Sequence, residues 1–437
     1  MDLSSKLRAI VKSGPPKPAR ELTYEPDAGG YEATTDVRRL AEILGGRPVA
    51  TTFGDCLAID RRYESDRWHG GVRIGDCELD GRGALHLLDP SLRLPVDASV
   101  QAADEQPRTV FIDLETTGIS GGAGTVAFVV GCAYFDVGAL HVRQFLLTSF
   151  AAERALLAAV AEFFAGAELI VTYNGKTFDV PVMETRWTFH RMRMPLDGVP
   201  HFDMLHPARR LWKGRGGGVA IDEGGCRLTT LERTLFDVRR VGDVEGVEIP
   251  GRFFQFLRSG DPRPLEPVLE HNRLDLVSLA AVTGRAAQLA REGADVCRDY
   301  AEALALGRVY ERAGSHDRAE ACYRRAARSG ASEIRAEALF RLGVRCRRER
   351  RFGEAAAAWE EIVRMGGKDR AGAAARAAEA LAIHHEHRGR DYETARELAV
   401  FALDEVEETG RRAEEIRYRL ARLDRKLSRR DRTARLW

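Results

Sequence analysis

The chain has 437 residues, enough for two or three domains with cores of their own. Its 67 basic residues are balanced by 66 acidic ones, so any polyanion has to be met by local patches rather than by net charge. No apolar run approaches the roughly 18–20 residues of a membrane span. The seven cysteines are scattered and lack CxxC pairs, which argues against a disulfide framework or a thiolate zinc site and for a reducing cytoplasm.

In chain order, residues 1–29 have no apolar signal core and read as a short amphipathic piece followed by a Pro/Lys tether. Residues 30–105 mix short β-like runs, "PVATTFGDCLAID" and "GALHLLDPSLRLPV", with turn residues, a small β-rich region to which no chemistry is assigned. From 106 to 292 strand and helix patterns alternate, as in an α/β domain with a mixed sheet flanked by helices. From 296 to 437 the chain is rich in Ala, Arg and Glu, with helical periodicity and no strand signal.

The stretch "TVFIDLETTGISGGAGT", residues 109–125, pairs a glycine-rich half with an acidic half. A phosphate-binding P-loop needs a Lys followed by Ser or Thr, and a dinucleotide fingerprint must open a helix. Here no such Lys is present and the strand pattern "VAFVVGCAYFD" follows, so the glycines read as a turn between two strands. Val110, Phe111 and Ile112 suggest a buried strand, and Asp113 and Glu115, two apart at its end, share one face. Two carboxylates held close repel, which raises a pKa or demands a hard cation such as Mg²⁺ or Mn²⁺.

Further along, "TVAFVVGCAYFD" and "ALHVRQFLLTS" predict two more strands, and an amphipathic helix follows at about 152–164. The strand "ELIVTYN" ends at Asn174, and "GKTFDVPVMETRWTF" opens a helix with Asp179 in its first turns. A strong helical pattern at 265–290 carries His271 and Asp275, which share a face because they are four apart. A three-strand meander followed by helix, strand and helix, with acids at the first strand's end and on later helices, is a ribonuclease-H-like layout.

"FIDLETTG", "YNGKTFDVPVM" and "HNRLDLVSL" resemble the three motifs of the DEDD superfamily of 3′–5′ exonucleases, and more narrowly the chain resembles bacterial YprB-type ribonuclease-H-like proteins. The resemblance covers residues of about 106–290. It implies metal ligation by Asp113, Glu115, Asp179 and Asp275 and general-base catalysis by His271; Thr116, Thr117 and Gly118 are candidate substrate contacts, Asn174 contacts substrate or fixes the turn, and Tyr173 and Phe178 are core residues or base-stacking platforms. Four carboxylates can hold two Mg²⁺ or Mn²⁺ ions about 3.5–4 Å apart, a clamp on both oxygens of an in-line displacement at phosphorus. The His-to-Asp spacing of four is that of the tyrosine-type subgroup, whereas the residue is that of the histidine-type subgroup.

Asp203, in "PHFDMLHPARRLW", reads as a helix N-cap or a water-orienting acid. The glycine-rich loop 212–227 offers Lys213 and Arg215 to phosphate. After residue 300, copies starting at Leu306 and Leu342 repeat with a shift of 36, and a weaker copy starts at Leu381. Gly307, Tyr310, Ala319, Tyr323 and Ala326 stand at tetratricopeptide-repeat offsets, and the second copy keeps Gly343, Ala355 and Trp359, which predicts a short solenoid for a protein partner. His384 and His387 in "HHEH" read as repeat surface, and the last 27 residues hold 11 Lys/Arg against 4 Asp/Glu, an excess suited to a nucleic-acid backbone or to a solvated helix. The expected protein is a cytoplasmic metal-dependent exonuclease acting on DNA or RNA, with no membrane segment. Its rival is an inactive nuclease-fold scaffold acting through the helical repeats.

Overall fold

The computed structural model describes residues 36–79, 82–94, 108–118, 124–213, 226–365, 371–405 and 410–434; the expected tether over 1–29 and Arg215 lie outside them. The first half builds, in order, α1 Val37–Leu44, β1 Arg47–Thr51, β2 Gly54–Tyr63, β3 Trp68–His69, β4 Val72–Arg73, α2 Gly83–Leu88 and β5 Arg108–Thr116. There follow β6 Ala127–Asp136, β7 Ala139–Leu146, α3 Glu153–Phe164, β8 Ala167–Thr172, α4 Asp179–Phe189, β9 His201–Asp203 and α5 Leu205–Trp212. Three more helices, α6 Leu228–Phe236, α7 Ile249–Ser259 and the long α8 Glu266–Glu292, complete it.

Seven strands form one mixed sheet in the order β1-β2-β7-β6-β5-β8-β9. The β5–β8 and β8–β9 pairs are parallel and the others antiparallel. Strand alternation gives the sheet two buried faces: Val110 and Ile112 of β5 join one core with α1, α3, α4 and α7, while Phe111 joins the other with α2, α5, α6 and α8. Asp113 and Glu115 share the parity of Phe111, so the strand that starts in the core ends with its acids on the α8 side. The expected meander and the helix–strand–helix sequence after it are both present, as a ribonuclease-H-like domain requires.

Residues 47–63 do not stand apart as a small region. β2 pairs with β7 from Leu57↔Leu146 to Tyr63↔Leu140 and widens the sheet of the α/β domain. The β3–β4 ribbon packs on the long helix: the backbone of Cys77 lies so close to Gly284 of α8 that a Cβ there would sit 2.7 Å from it, and His69 Nε2 is 2.9 Å from Ser278 Oγ. This segment buttresses the helix that carries His271 and Asp275.

The second half is helical: α9 Tyr300–Arg312, α10 His316–Ala326, α11 Ser332–Arg348, α12 Phe352–Met365, α13 Ala371–His384, α14 Tyr392–Asp404 and α15 Arg411–Ala434. Short connections fold α9–α10 and α11–α12 into hairpins locked in the same way. A Cβ at Gly307 would meet Tyr323 at 2.5 Å, and one at Gly343 would meet the Trp359 indole at 2.2 Å, so each glycine makes room for one aromatic ring of the partner helix. The "HHEH" stretch ends in a wide turn that buries Glu386 among Arg419, Arg422 and Lys426 at 2.7–2.9 Å. Against the cost of its burial, Arg422 and Lys426 hold Glu386 well below the usual carboxylate range, at about 2. Much of the basic excess of the last helix therefore fastens it to the body. Among the described residues no helix is long and apolar enough to cross a membrane.

The boundary expected at residue 296 is one of composition and not of packing. A single apolar cluster runs from Phe111 and α8 through Leu306, Tyr310 and Tyr323 to Leu342. Glu302 is fully buried and accepts hydrogen bonds from the Trp212 indole at 2.9 Å and from Arg285 at 3.0 Å, and the Tyr310 hydroxyl donates to the carbonyls of Leu289 and Ala290. Replacing Glu302 with Ala is expected to cost about 3–5 kcal/mol in urea unfolding, because Arg285 is left without its buried partner. A fragment ending at residue 296 is expected to lose cooperative unfolding, and one ending at 350 to keep it. Cooperative melting of the shorter fragment would show that the two halves are separable.

Candidate metal centre

Three elements bring carboxylates toward the C-terminal end of β5. Asp113 and Glu115 come from the strand, Asp179 from the first turn of α4, and Asp275 from α8. Asp179 Oδ1 accepts from the Leu114 amide at 3.2 Å, which fixes it between the two strand acids. A register shift in the β5–β6 pairing follows Glu115 directly and turns the strand out of the sheet there.

Burial and the charges of Asp275, Glu115 and Asp179 push the Asp113 carboxyl far above its usual range. Burial, Asp275 and Asp179 do the same to Glu115, and burial raises Asp179 to about 7. Acids that hold protons because each faces the others can ionise together only around positive charge. Oxygen donors of this kind match Mg²⁺ or Mn²⁺ in chemistry. In this structure the positive charge comes from Arg240, whose Nη2 donates to Asp275, and among the described residues no three His, Cys, Asp or Glu side chains stand arranged around one point. The oxygen donors are of the kind a hard divalent cation takes, and Arg240 compensates the charge of Asp275.

Arg240 is itself rigid. Glu232 of α6 binds its fork at 2.7 and 2.8 Å, Asp243 lies 3.3 Å from Nη1, and Glu232 also accepts from Ser278. Asp243 further stands 2.6 Å from His271 Nδ1, while His271 Nε2 lies 3.6 Å from Asp275 Oδ2. The shorter contact, to Asp243, suits a tautomer with the proton on Nδ1, which leaves the Nε2 lone pair on the side of Asp275.

Asp113 is positioned by a relay across the sheet. Gly131 of β6 sits opposite Asp113, and the space where its Cβ would be is filled by Asn272, whose Oδ1 would lie 2.1 Å from that atom. Asn272 Nδ2 donates to Asp113 Oδ2 at 2.7 Å, and Gln144 Nε2 donates to Asn272 Oδ1 at 2.9 Å. Asp203 is buried and organises the second motif: its carboxylate accepts from the amides of Asn174 at 2.8 Å, Lys176 at 3.1 Å and Leu205 at 3.1 Å. Asn174 takes φ +69°, a left-handed turn that Asn tolerates, and Gly175 packs against Thr172 where a Cβ would be 2.5 Å away.

The other expected contacts divide. Phe178 is half exposed beside Asp179. Thr116 and Thr117 spend their hydroxyls on the loop, donating to the Gly118 carbonyl at 2.8 Å and accepting from the Val126 amide at 3.0 Å. Tyr173 donates to the Cys226 carbonyl, and Lys213 stands exposed after α5, where its charge bears on the Cys226 thiol. Asn272 was within reach of the sequence, one turn before Asp275. Arg240 and Asp243 were not, because "RRVGDV" has no periodicity to tie it to any face.

Gly131→Ala is expected to destabilise the fold by about 1–3 kcal/mol through overpacking. Adding Asn272→Ala should restore part of that loss in a urea double-mutant cycle. Additive costs would show that the two residues do not share this contact.

Comparison with known proteins places the chain in a family. Residues 110–287 match the RNase_H superfamily, a span that runs from the first acid pair through Asp275. "Uncharacterized protein YprB" of Bacillus subtilis (strain 168) is 31% identical over 396 residues, covering 89% of this chain and 90% of that protein. The chain therefore belongs to the YprB family, with a ribonuclease H superfamily domain at its centre.

Proposed function

We propose that the protein is a divalent-metal-dependent 3′–5′ exonuclease that hydrolyses phosphodiester bonds of DNA or RNA, with tetratricopeptide-like repeats that engage a protein partner or the substrate. The observation that carries this reading is the convergence of acids from β5, α4 and α8: Asp179 is tied to the β5 backbone at the Leu114 amide, and burial with the charges of Asp275 and Asp179 pushes Asp113 and Glu115 above the usual carboxylate range. Asp113, Glu115, Asp179 and Asp275 are the ligands in this reading. Two Mg²⁺ or Mn²⁺ ions, when bound, supply Lewis-acid stabilisation of the attacking and leaving oxygens.

The chain's own residues do the remainder. His271 Nε2 accepts the proton of the attacking water, and Asp243 holds Nδ1–H so that the ring keeps that tautomer and orientation. Water oxygen bonds to phosphorus as the bridging P–O bond breaks and releases the terminal nucleotide. Asn272 keeps Asp113 turned toward the other acids, and Asp203 keeps the loop before Asp179 closed. Phe178, half exposed at the rim, offers a face for a base to stack on.

One observation favours the scaffold reading instead: Arg240 already neutralises Asp275, as a fold with no further need of an ion would allow. The two readings part in one assay. With Mn²⁺ and labelled DNA and RNA oligonucleotides blocked at either end, the wild type is expected to trim from the 3′ end. Asp113→Ala and Asp179→Ala should abolish trimming with the fold intact. His271→Ala should slow it by about 10²–10⁴ while leaving Mn²⁺ binding close to normal. Turnover unchanged in a folded Asp113→Ala protein would contradict the ligand assignment.

A further inference from the structure

An open groove of about 780 Å³ lies where α8 meets the helical half, bordered by the turn after α8 and one face of α10. Five arginines line it, Arg298, Arg318, Arg324, Arg325 and Arg328, against three carboxylates. Arg318 and Arg325 stand seven apart on one face of α10 and Arg328 follows in the turn after it, with small Ala321 between Arg318 and Arg325 leaving depth.

What sets these arginines apart is how they are held. Arg325 donates to the carbonyls of Ala294, Asp295 and Cys297 at 2.7, 3.0 and 2.6 Å. Arg318 donates to the Ala290 carbonyl at 2.9 Å and lies over the Tyr310 ring. These bonds fix the guanidinium forks without spending their charge on a carboxylate. Among the described residues none of Arg298, Arg318, Arg325 and Arg328 forms an ion pair, whereas Arg324, Arg345 and Arg351 are all tied to Glu320. Of the bordering acids, Asp299 caps α9 through the Glu302 amide, and Glu292 pairs with Arg291.

We infer that this groove binds the phosphate backbone of a nucleic-acid strand and holds a length of it away from the acids, an assignment that rests on the nuclease reading above. A planar guanidinium grips a phosphate with two parallel hydrogen bonds, and a stripe of fixed forks suits a ligand that repeats its charge along its length. The position fits. Asp275 and Glu292 lie on one helix, 17 residues or about 26 Å apart along its axis. Arg298 and Asp299 also border a neighbouring cavity of about 240 Å³ lined by Thr230 and Thr234 of α6, the helix whose Glu232 holds Arg240 against Asp275. The end of α8 borders the groove, and α6 borders the neighbouring cavity, so the two helices that hold Asp275 and Arg240 lead to it.

The test is fluorescence anisotropy of the full chain in EDTA, with single-stranded DNA and RNA probes of about 20 nucleotides at graded salt. Arg298→Glu combined with Arg328→Glu is expected to weaken binding about tenfold or more. It should also flatten the log K–log salt slope by about 1–2, at roughly 0.7 per lost phosphate contact. The charge-matched pair Arg39→Glu with Arg364→Glu should leave affinity near that of the wild type, and circular dichroism checks the fold of each. Affinity and slope unchanged in the groove variant overturn the inference. Tighter binding of a glutamate-rich peptide than of either oligonucleotide overturns it as well and assigns the groove to an acidic protein. Binding is read here without divalent ions, so a chain that binds in this way yet never cleaves contradicts the nuclease reading and leaves the groove assignment standing.

Discussion

Like charges brought together at the end of one buried strand are the constraint on which the rest of this molecule depends. Asp113 and Glu115 point the same way because a strand alternates, and Asp179 and Asp275 are delivered beside them by two helices. Left alone, such a cluster would repel itself apart or stay protonated. The surrounding structure opposes the first outcome. Asn272 ties Asp113 to α8, the Leu114 amide ties Asp179 to β5, and the Glu232–Arg240 pair sets a fixed cation on Asp275. Each tie is made by a group whose own alternative partners are buried or already used, so the geometry is fixed before any ligand arrives.

That geometry was only partly legible in the sequence. The apolar run Val110–Ile112 followed by acids two apart specifies both a strand and a shared face, and the three motifs arrive in the order the fold uses them. Local periodicity carries this much because it depends on neighbours in the chain. The pairing of β2 with β7 joins Tyr63 to Leu140 across a long stretch of sequence, and no local pattern encodes such a register. The same holds for Arg240 and Asp243, loop residues whose roles come from what α6 and α8 bring to them. Gly131 is a further case: it reads as an ordinary weak point in a strand until Asn272 is seen in the space its missing side chain leaves.

The helical half shows how composition and packing can disagree. Its Ala/Arg/Glu bias begins near residue 296, yet its first hairpin shares a core with the sheet domain and its Glu302 completes the hydrogen bonding of Trp212 and Arg285. Many of its arginines are spent on neighbouring glutamates, and three cations near the C-terminal end converge on Glu386. A count of basic residues therefore overstates what this region offers to a polyanion. Where arginines are held by carbonyls and not by carboxylates, the charge stays available, and that distinction is invisible in the sequence.

The acids at the end of β5 are most directly tested by isothermal titration of Mn²⁺ into the wild-type protein and into Asp113→Asn, which keeps the shape of the side chain and removes its charge. If the cluster is a divalent-cation site, the wild type takes up two ions and the variant loses at least one of them, with its fold unchanged by circular dichroism. No uptake by the wild type, or identical uptake by the variant, would contradict it.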